Sequence, residues 1–337
     1  MLRYKIQKIS KVDINLLTNF YKKVFYDRYK SLSNNWRWWY RTSYNNCEPI
    51  LIVSDNKVIG QAGALPTDLI VNGKKFQAIW FVDFAILPEF RRMGFGKILT
   101  KEWMKICPNQ ITFCNDESLK VFKKFGWASN KNYERYIRPI NYFKLIPVIK
   151  NLKLNFADKI YREIIKRKFN HDINIKSYRL IENYKTIFDT FLSRKKNEHT
   201  NSVEILRDDR WLQWRLEECP YKKDLYFFEH KNNFLIAHIY LHKNIKRLNI
   251  LSQYYTDSSV GNELLIAIVN WAIKNDIDFV WGVGKKKNIK NIFPSIYAKP
   301  INYASWSSDQ EIFDILKDGL SDVQGIDSDI DSSLYIE

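Results

Sequence analysis

The sequence predicts an α+β protein built on a mixed, mostly antiparallel sheet flanked by helices, with the plan used twice in tandem. Three observations carry this prediction. Residues 50–87 read as a three-strand meander. Residues 81–105 read as strand, glycine turn and helix in succession. The second half then repeats the order of the first, with tryptophans three apart in both halves.

Arg3 to Ser10 opens the chain as a strand, with Tyr4 and Ile6 alternating with polar residues. Val12 to Phe25 is an amphipathic helix whose Ile14, Leu17, Phe20 and Val24 share one stripe. Trp36-Arg37-Trp38-Trp39-Tyr40 follows. It reads either as a helix packed on the sheet or as the aromatic wall of a small-molecule cleft, with Trp36 and Trp39 facing the substrate. Ile50 to Ser54, the turn Asp55-Asn56-Lys57, and Val58 to Val71 form the first hairpin. A bulge is expected at Pro66, because proline removes a ladder donor. Asn72-Gly73 then turns the chain into a third strand, Lys74 to Leu87.

That strand ends in the apolar run Phe84-Ala85-Ile86-Leu87, stopped by Pro88. A basic, glycine-spaced turn follows, Arg91-Arg92-Met93-Gly94-Phe95-Gly96-Lys97. A helix begins there, with Ile98, Leu99, Trp103 and Ile106 at helical spacing. Strand, glycine turn and helix in this order make an anion site. The first helical N–H groups have no partner inside the helix and point into the turn. The helix dipole adds roughly 0.3–1 kcal/mol for each anionic group near that end. Gly94 and Gly96 let a phosphate approach the backbone closely, and Arg91, Arg92 and Lys97 add charge. Downstream, Ile111 to Cys114 reads as a strand. Asn115-Asp116-Glu117-Ser118 then leads into a short helix ending Lys124-Phe125-Gly126-Trp127.

These two stretches together resemble the GNAT superfamily of acyl-CoA N-acyltransferases. Arg91-x-x-Gly94-x-Gly96 is similar to that family's pyrophosphate loop. Asn115-x-x-Ser118-x-x-x-Phe122-x-x-x-Gly126-Trp127 is similar to its second cofactor element. The resemblance implies acetyl-CoA as co-substrate, no metal, and a small-molecule amine as acceptor. It implies the order strand, two helices, three strands, helix, strand, helix, strand, with Tyr133 to Arg138 as the last strand. Cofactor contacts would fall on Ala85, Ile86, Leu87, Arg91, Arg92, Met93, Gly94, Phe95, Gly96, Lys97, Asn115, Ser118 and Phe122. The pantetheine arm would pair with the backbone of Ala85 to Leu87, since an exposed strand edge matches its amides. The family's splay between strands would fall between Leu87 and Asn115.

Direct acyl transfer needs a neutral amine, a held thioester carbonyl and a route for protons. Asp83 is the one carboxylate of the central strand and is a candidate base, since burial would raise its pKa. It also reads as a buried structural carboxylate. Strand alternation places it on the face opposite Trp80, which stands at the family's frequent carboxylate position. Trp80 joins Trp36 and Trp39 as a substrate-side candidate. Phe122 stands where the family often has a tyrosine acid and has no proton to give. Tyr133 or Tyr136 would take over that role, or water would.

The second half repeats the plan: strand Ile175 to Ile181, helix Tyr184 to Arg194, the motif Arg210-Trp211-Leu212-Gln213-Trp214-Arg215, and strands Leu225 to Glu229, Phe234 to His242 and Arg247 to Thr256. Helix Gly261 to Lys274 and strand Asp278 to Gly282 complete it. Its strand-to-helix junction lacks the glycine loop and carries Asp257, which would repel a phosphate. The expected organisation is a cofactor-binding domain at 1–140, a basic helical connector at 141–175, a degenerate copy at 176–320 and an acidic tail at 321–337.

Hydrophobic residues make up 45% of the 337, enough for two real cores. Cys47, Cys107, Cys114 and Cys219 show neither a C-x-x-C pair nor metal spacing, which favours reduced thiols and a cytoplasmic location. No signal core opens the chain, and Leu264 to Ile273 is too short to span a bilayer. The net charge of +17 reads first as lysine spread over solvated faces rather than as a nucleic-acid footprint. The basic amphipathic stretch 151–169 reads as a linking helix or as a peripheral membrane contact. Two rivals to acetyl transfer share these features: an aminoacyl-tRNA-dependent transferase of the peptidoglycan-bridge type, and a non-enzymatic acyl-CoA sensor or scaffold.

Overall fold

In the computed structural model the described residues are 3–42, 44, 47–141, 155–168, 175–179, 203–242, 244–255, 258–285, 297–323 and 325–327. In chain order the first half gives β1 (Lys5–Lys8), α1 (Ile14–Val24), α2 (Tyr29–Trp39), β2 (Ile50–Ser54), β3 (Lys57–Val71), β4 (Lys74–Ile86), α3 (Phe95–Met104), β5 (Asn109–Cys114), α4 (Asp116–Lys123) and β6 (Ala128–Pro139). Then come α5 (Asn155–Lys168), β7 (Lys176–Arg179), β8 (Val203–Ile205), α6 (Asp209–Leu212), β9 (Leu225–His230), β10 (Asn233–His242), β11 (Ile245–Tyr254), α7 (Ser258–Lys274), β12 (Phe279–Lys285), β13 (Tyr297–Ser307) and α8 (Gln310–Leu316). The expected helix Tyr184 to Arg194, the Asp257 junction and most of the acidic tail lie outside the described residues.

Local chemistry explains the boundaries. Asp13 starts α1 by accepting from the Asn15 amide, and Asn115 starts α4 by accepting from the Ser118 amide. Asn72 and Gly73 both take positive φ in the β3–β4 turn, as a tight hairpin requires.

The chain folds into two units. Unit 1 holds Met1–Lys131, His199–Trp214 and Asn302–Ser321; unit 2 holds Asn132–Glu198, Arg215–Ile301 and Asp322–Glu337. In unit 1 the strands run β1–β2–β3–β4–β5–β13, and β8 pairs with the end of β3. In unit 2 they run β7–β9–β10–β11–β12–β6. Each sheet has one parallel pair, β4 with β5 and β11 with β12, and its other strand pairs are antiparallel. The fold class is therefore α+β, with a mostly antiparallel mixed sheet in each unit.

The closing strands differ from expectation. Asn302–Ser307 of β13 pairs with β5, so the last strand of unit 1 comes from the C-terminal part of the chain. The stretch Tyr133 to Arg138 is a strand as expected, but it pairs with β12 in unit 2. Neighbouring sequence carries the hydrophobic pattern of a strand and not the identity of its partner.

Both sheets bulge at matching places. In unit 1, Asp83 and Phe84 of β4 together oppose Ala62 of β3. In unit 2, Leu251 of β11 is the extra residue opposite Ile236 and Ala237 of β10. The bulge expected at Pro66 is absent, and Pro66 sits in register with Ile79. In unit 2, α7 buries Leu264, Leu265, Ile268, Val269 and Ala272 against Leu235, Ala237, Leu248, Ile250 and Val280.

Candidate active site

The parallel pairing of β4 with β5 covers only Ile79–Gln110 and Trp80–Ile111. Beyond it the strands separate. The Thr112 hydroxyl caps the separation by donating to the Phe81 carbonyl at 2.7 Å. From Val82 onward the β5 side of β4 has no ladder partner among the described residues, and the expected splay lies here. On its other side β4 stays paired, with Gln61 opposite Ala85 and Gly60 opposite Ile86, and Leu87 donates to the Ile59 carbonyl at 2.9 Å.

The glycine turn follows directly. Gly94 sits at φ +88° as the N-cap of α3, where a left-handed backbone favours glycine, and no side chain caps the helix. The Lys97 and Ile98 amides fold back to the Gly94 carbonyl at 3.0 and 3.2 Å. The amides ahead of them face the turn. A Cβ on Gly94 would meet nothing within 4 Å, and one on Gly96 would meet only the Phe84 ring at 3.6 Å. The turn thus leaves its backbone N–H groups open to approach, which suits a diphosphate. Arg92 also adopts positive φ, and Arg91 reaches back from the turn to the Ile86 carbonyl at 3.2 Å. Arg91, Arg92, Met93 and Lys97 are exposed around the opening, and Phe95 is buried beneath it.

The second motif serves the fold as much as a ligand. Asn115 and Ser118 are joined in the α4 cap described above. Phe122 is buried, stacked on Trp127 at 4.7 Å and edge-on to Phe81 at 5.0 Å. Its ring is a core side chain here, so any contact it makes with a cofactor is through its backbone or its edge.

Asp83 is the most heavily engaged carboxylate near the splay. Its oxygens accept from Arg28 Nη1 at 2.9 Å, Arg28 Nη2 at 3.5 Å, Trp39 Nε1 at 2.8 Å and the Tyr40 hydroxyl at 3.0 Å. Its side chain is 2% exposed. The network continues inward. Gln61 donates to Tyr40 at 2.8 Å and to the Asp83 carbonyl at 3.3 Å, and Tyr21 donates to Gln61 at 3.0 Å. Burial first, then the Asp83 charge, holds the Tyr40 hydroxyl far above its ordinary range, so it stays a donor. Asp83 has φ +48°, which costs a non-glycine residue about 1–2 kcal/mol and is held by these bonds.

The bulge also changes which face Asp83 occupies. Phe81 packs on Trp103 of α3, yet Asp83 points at Arg28, Trp39 and Tyr40 around α2. Regular alternation would put residues 81 and 83 on one face. The extra residue resets the alternation and brings Asp83 to the Trp80 face, correcting the expectation that they oppose one another.

The aromatic candidates are less open than expected. Trp36, Trp39 and Trp80 are all buried, and Trp80 packs against Phe113 with ring centroids 5.2 Å apart. None of the three forms an exposed wall; Trp39 reaches the site through its bond to Asp83. Trp38, which drew no assignment, instead exchanges bonds with the echoing motif. Its indole donates to the Trp214 carbonyl at 2.9 Å, and the Trp214 indole donates to the Trp38 carbonyl at 2.7 Å. Tyr133 is fully buried on β6 and belongs to unit 2. Burial raises the Tyr136 hydroxyl above its ordinary range. At the end of β5 the Cys114 thiol is pushed up to about 12 by burial and then by Asp116. It is protonated at neutral pH and unsuited to act as a nucleophile.

Arg28, Tyr40 and Gln61 are functional candidates that sequence reasoning missed. A lone carboxylate in an apolar strand called for a buried cation, but no spacing rule pointed to Arg28, 55 residues away.

The family model for the acetyltransferase (GNAT) family matches residues 14–127. Residues 14–127 are a GNAT acetyltransferase domain. Solved structures share the fold across 90% of this chain. A GCN5-related N-acetyltransferase from Kribbella flavida matches with a TM-score of 0.56 at 8% identity over 71% of its length. A GCN5-related N-acetyltransferase from Anabaena variabilis matches with a TM-score of 0.55 at 13% identity over 72% of its length. At these identities the likeness is one of fold. No curated protein matches the sequence. The GNAT domain makes the protein an acyltransferase of the N-acetyltransferase type.

Proposed function

We propose that the protein transfers an acetyl group from acetyl-CoA directly to the primary amine of a small molecule, with an amino sugar, free or nucleotide-linked, as the first candidate. The observation that carries this reading is the conjunction of an uncapped α3 N-terminus with an unpaired β4 edge one turn of chain before it. The cofactor, when bound, supplies the activated acyl group.

The chain's own residues supply the rest. The amides opening α3, with Arg92 and Lys97, hold the diphosphate. The β4 edge around Ala85 to Leu87 pairs with the pantetheine amides, with Arg91 giving up the Ile86 carbonyl. A β4 backbone N–H beside the splay polarises the thioester carbonyl. Protonated Cys114 favours direct transfer over a thiol-bound route. The expectation from the sequence that Tyr133 gives the proton to the departing thiolate is tested by Tyr133→Phe; the role of Asp83 is taken up below. Unit 2 is read as a degenerate GNAT-like copy without a phosphate loop, supported by its matching strand order and bulge.

Among the described residues no helix is long and apolar enough to cross a membrane. A peripheral contact through α5 is supported by its exposed Ile160 and Ile164, flanked by Lys159 and Arg167. Retention on anionic but not neutral vesicles, lost in Ile160→Ser/Ile164→Ser, is the expected result; equal behaviour of both proteins would end this idea.

Function is tested by following free thiol from acetyl-CoA across a panel of amines. Amine-dependent release is expected. Tight CoA binding with no release for any amine would mark a sensor instead.

A further inference from the structure

The carboxylate at the splay is enclosed by hydrogen-bond donors. Its Oδ1 accepts from Arg28 Nη1, and its Oδ2 accepts from Arg28 Nη2, Trp39 Nε1 and the Tyr40 hydroxyl. A carboxylate only 2% exposed and held by these donors is not open to an incoming amine. Its geometry suggests different work. Arg28 lies in the short connection between α1 and α2, over the rings of Phe25 and Trp39. Asp83 lies in the β4 bulge, with positive φ. The ion pair therefore ties the helical connection to the one irregular turn of backbone on the cofactor strand. Gln61 completes the tie by taking the Asp83 carbonyl, which would otherwise seek a ladder partner on β3. The bulge lies just past the last paired residue, Trp80. Its orientation decides where the adjacent N–H groups point, and those are the groups positioned to meet a thioester carbonyl.

We propose that Arg28 is a positioning residue for acyl transfer, acting through Asp83 to hold the β4 bulge in line with the thioester, and that Asp83 is the anchor of that bulge and not the base. This rests on the acyl-transfer reading above. A bulge that rotates away misplaces the donor without removing the diphosphate cradle, so binding and chemistry should separate.

The test uses the full chain and acetyl-CoA labelled with carbon-13 at the carbonyl. In the wild type, the bound carbonyl stretch is expected to move to lower wavenumber than in free acetyl-CoA. Arg28→Met should bind with a Kd within about threefold of wild type, lose most of that infrared shift, and lose about 10²-fold in kcat. Asp83→Asn should keep the shape of the wild-type pH profile, because the base is elsewhere. Arg28→Met leaves a buried carboxylate unpaired and can fail to fold. Arg28→Met/Asp83→Asn removes both charges, keeps the Trp39 and Tyr40 bonds to an amide oxygen, and should recover part of the shift. The proposal is overturned if Arg28→Met, or the double variant in its place, shows the full shift and unchanged kcat, or if Asp83→Asn deletes a limb of the pH profile. Failure of the wild type to bind CoA is a distinct outcome and removes the acyl-transfer reading beneath it.

Discussion

Cutting the chain after residue 140 should destroy unit 1, although the sequence places a complete domain there. The fragment 1–140 keeps both cofactor motifs and loses β8, α6, β13 and α8. The lost C-terminal segment pairs six residues, Asn302 to Ser307, with the full length of β5. It also contributes Tyr303, Ile312, Leu316 and Leu320, all buried. Burying an aliphatic or aromatic side chain of this size contributes roughly 1.5–3 kcal/mol, so four of them amount to about 6–12 kcal/mol. A domain's whole stability is about 5–15 kcal/mol, so little or nothing remains. The cut also bares the edge of β5, an invitation to aggregate. Purified 1–140 is expected to show no cooperative urea transition and no CoA binding. A fragment that joins residues 297–321 to its end through a flexible linker should regain at least part of both. Cooperative unfolding of 1–140 at close to full-length stability would refute the reasoning, because β13 would then be dispensable.

Gly63→Ala drives a Cβ into the Val82 carbonyl oxygen, a backbone atom beside the bulge, and should cost about 1–3 kcal/mol in chemical denaturation. Asn115→Ala removes the α4 cap and should cost about 1 kcal/mol, with Asn115→Asp close to neutral in the same assay. The His238 imidazole is held down to about 3, by burial first and then by Arg247 and Arg215, against an ordinary value of 6.5. A histidine depressed in the folded state gives stability that is full above 6.5 and lost progressively as pH falls toward 3. Stability should therefore decline between pH 6.5 and 5, before carboxylates titrate, and His238→Phe should flatten that window. An unchanged slope in the variant would contradict the assignment.

Much of the fold was legible because its signals are local. The Asn72-Gly73 turn and the Pro88 stop follow from neighbouring residues, and each falls at the boundary it predicted, whereas the echoing Trp211 and Trp214, expected in the second domain, lie in unit 1. The Gly94 cradle was legible for the same reason. What stayed hidden depends on distant partners. Nothing in Tyr133 to Arg138 says that its partner is Phe279 to Lys285 and not Asn109 to Cys114, since any apolar strand edge satisfies the same pattern. The bulge at Asp83 was invisible because proline at 66 was the stronger local cue, whereas the actual irregularity is held by side chains from α1, α2 and β3. Trp36, Trp39 and Trp80 illustrate a further ambiguity: large rings line pockets and fill cores alike, and here all three fill the core.

The central claim is that the amides opening α3 hold the diphosphate of coenzyme A. Its most direct test is calorimetric titration of CoA into the wild type and two variants at one position, Gly94→Asn and Gly94→Asp. The Cβ added there meets no atom within 4 Å, and Asn and Asp are the side chains that best tolerate the positive φ of +88°. The pair differs only in charge at the mouth of the cradle. Asn should bind CoA within about tenfold of wild type, and Asp should show no measurable heat, because its carboxylate sits where the diphosphate belongs. CoA binding by the Asp variant at wild-type affinity would place the cofactor elsewhere and contradict the account.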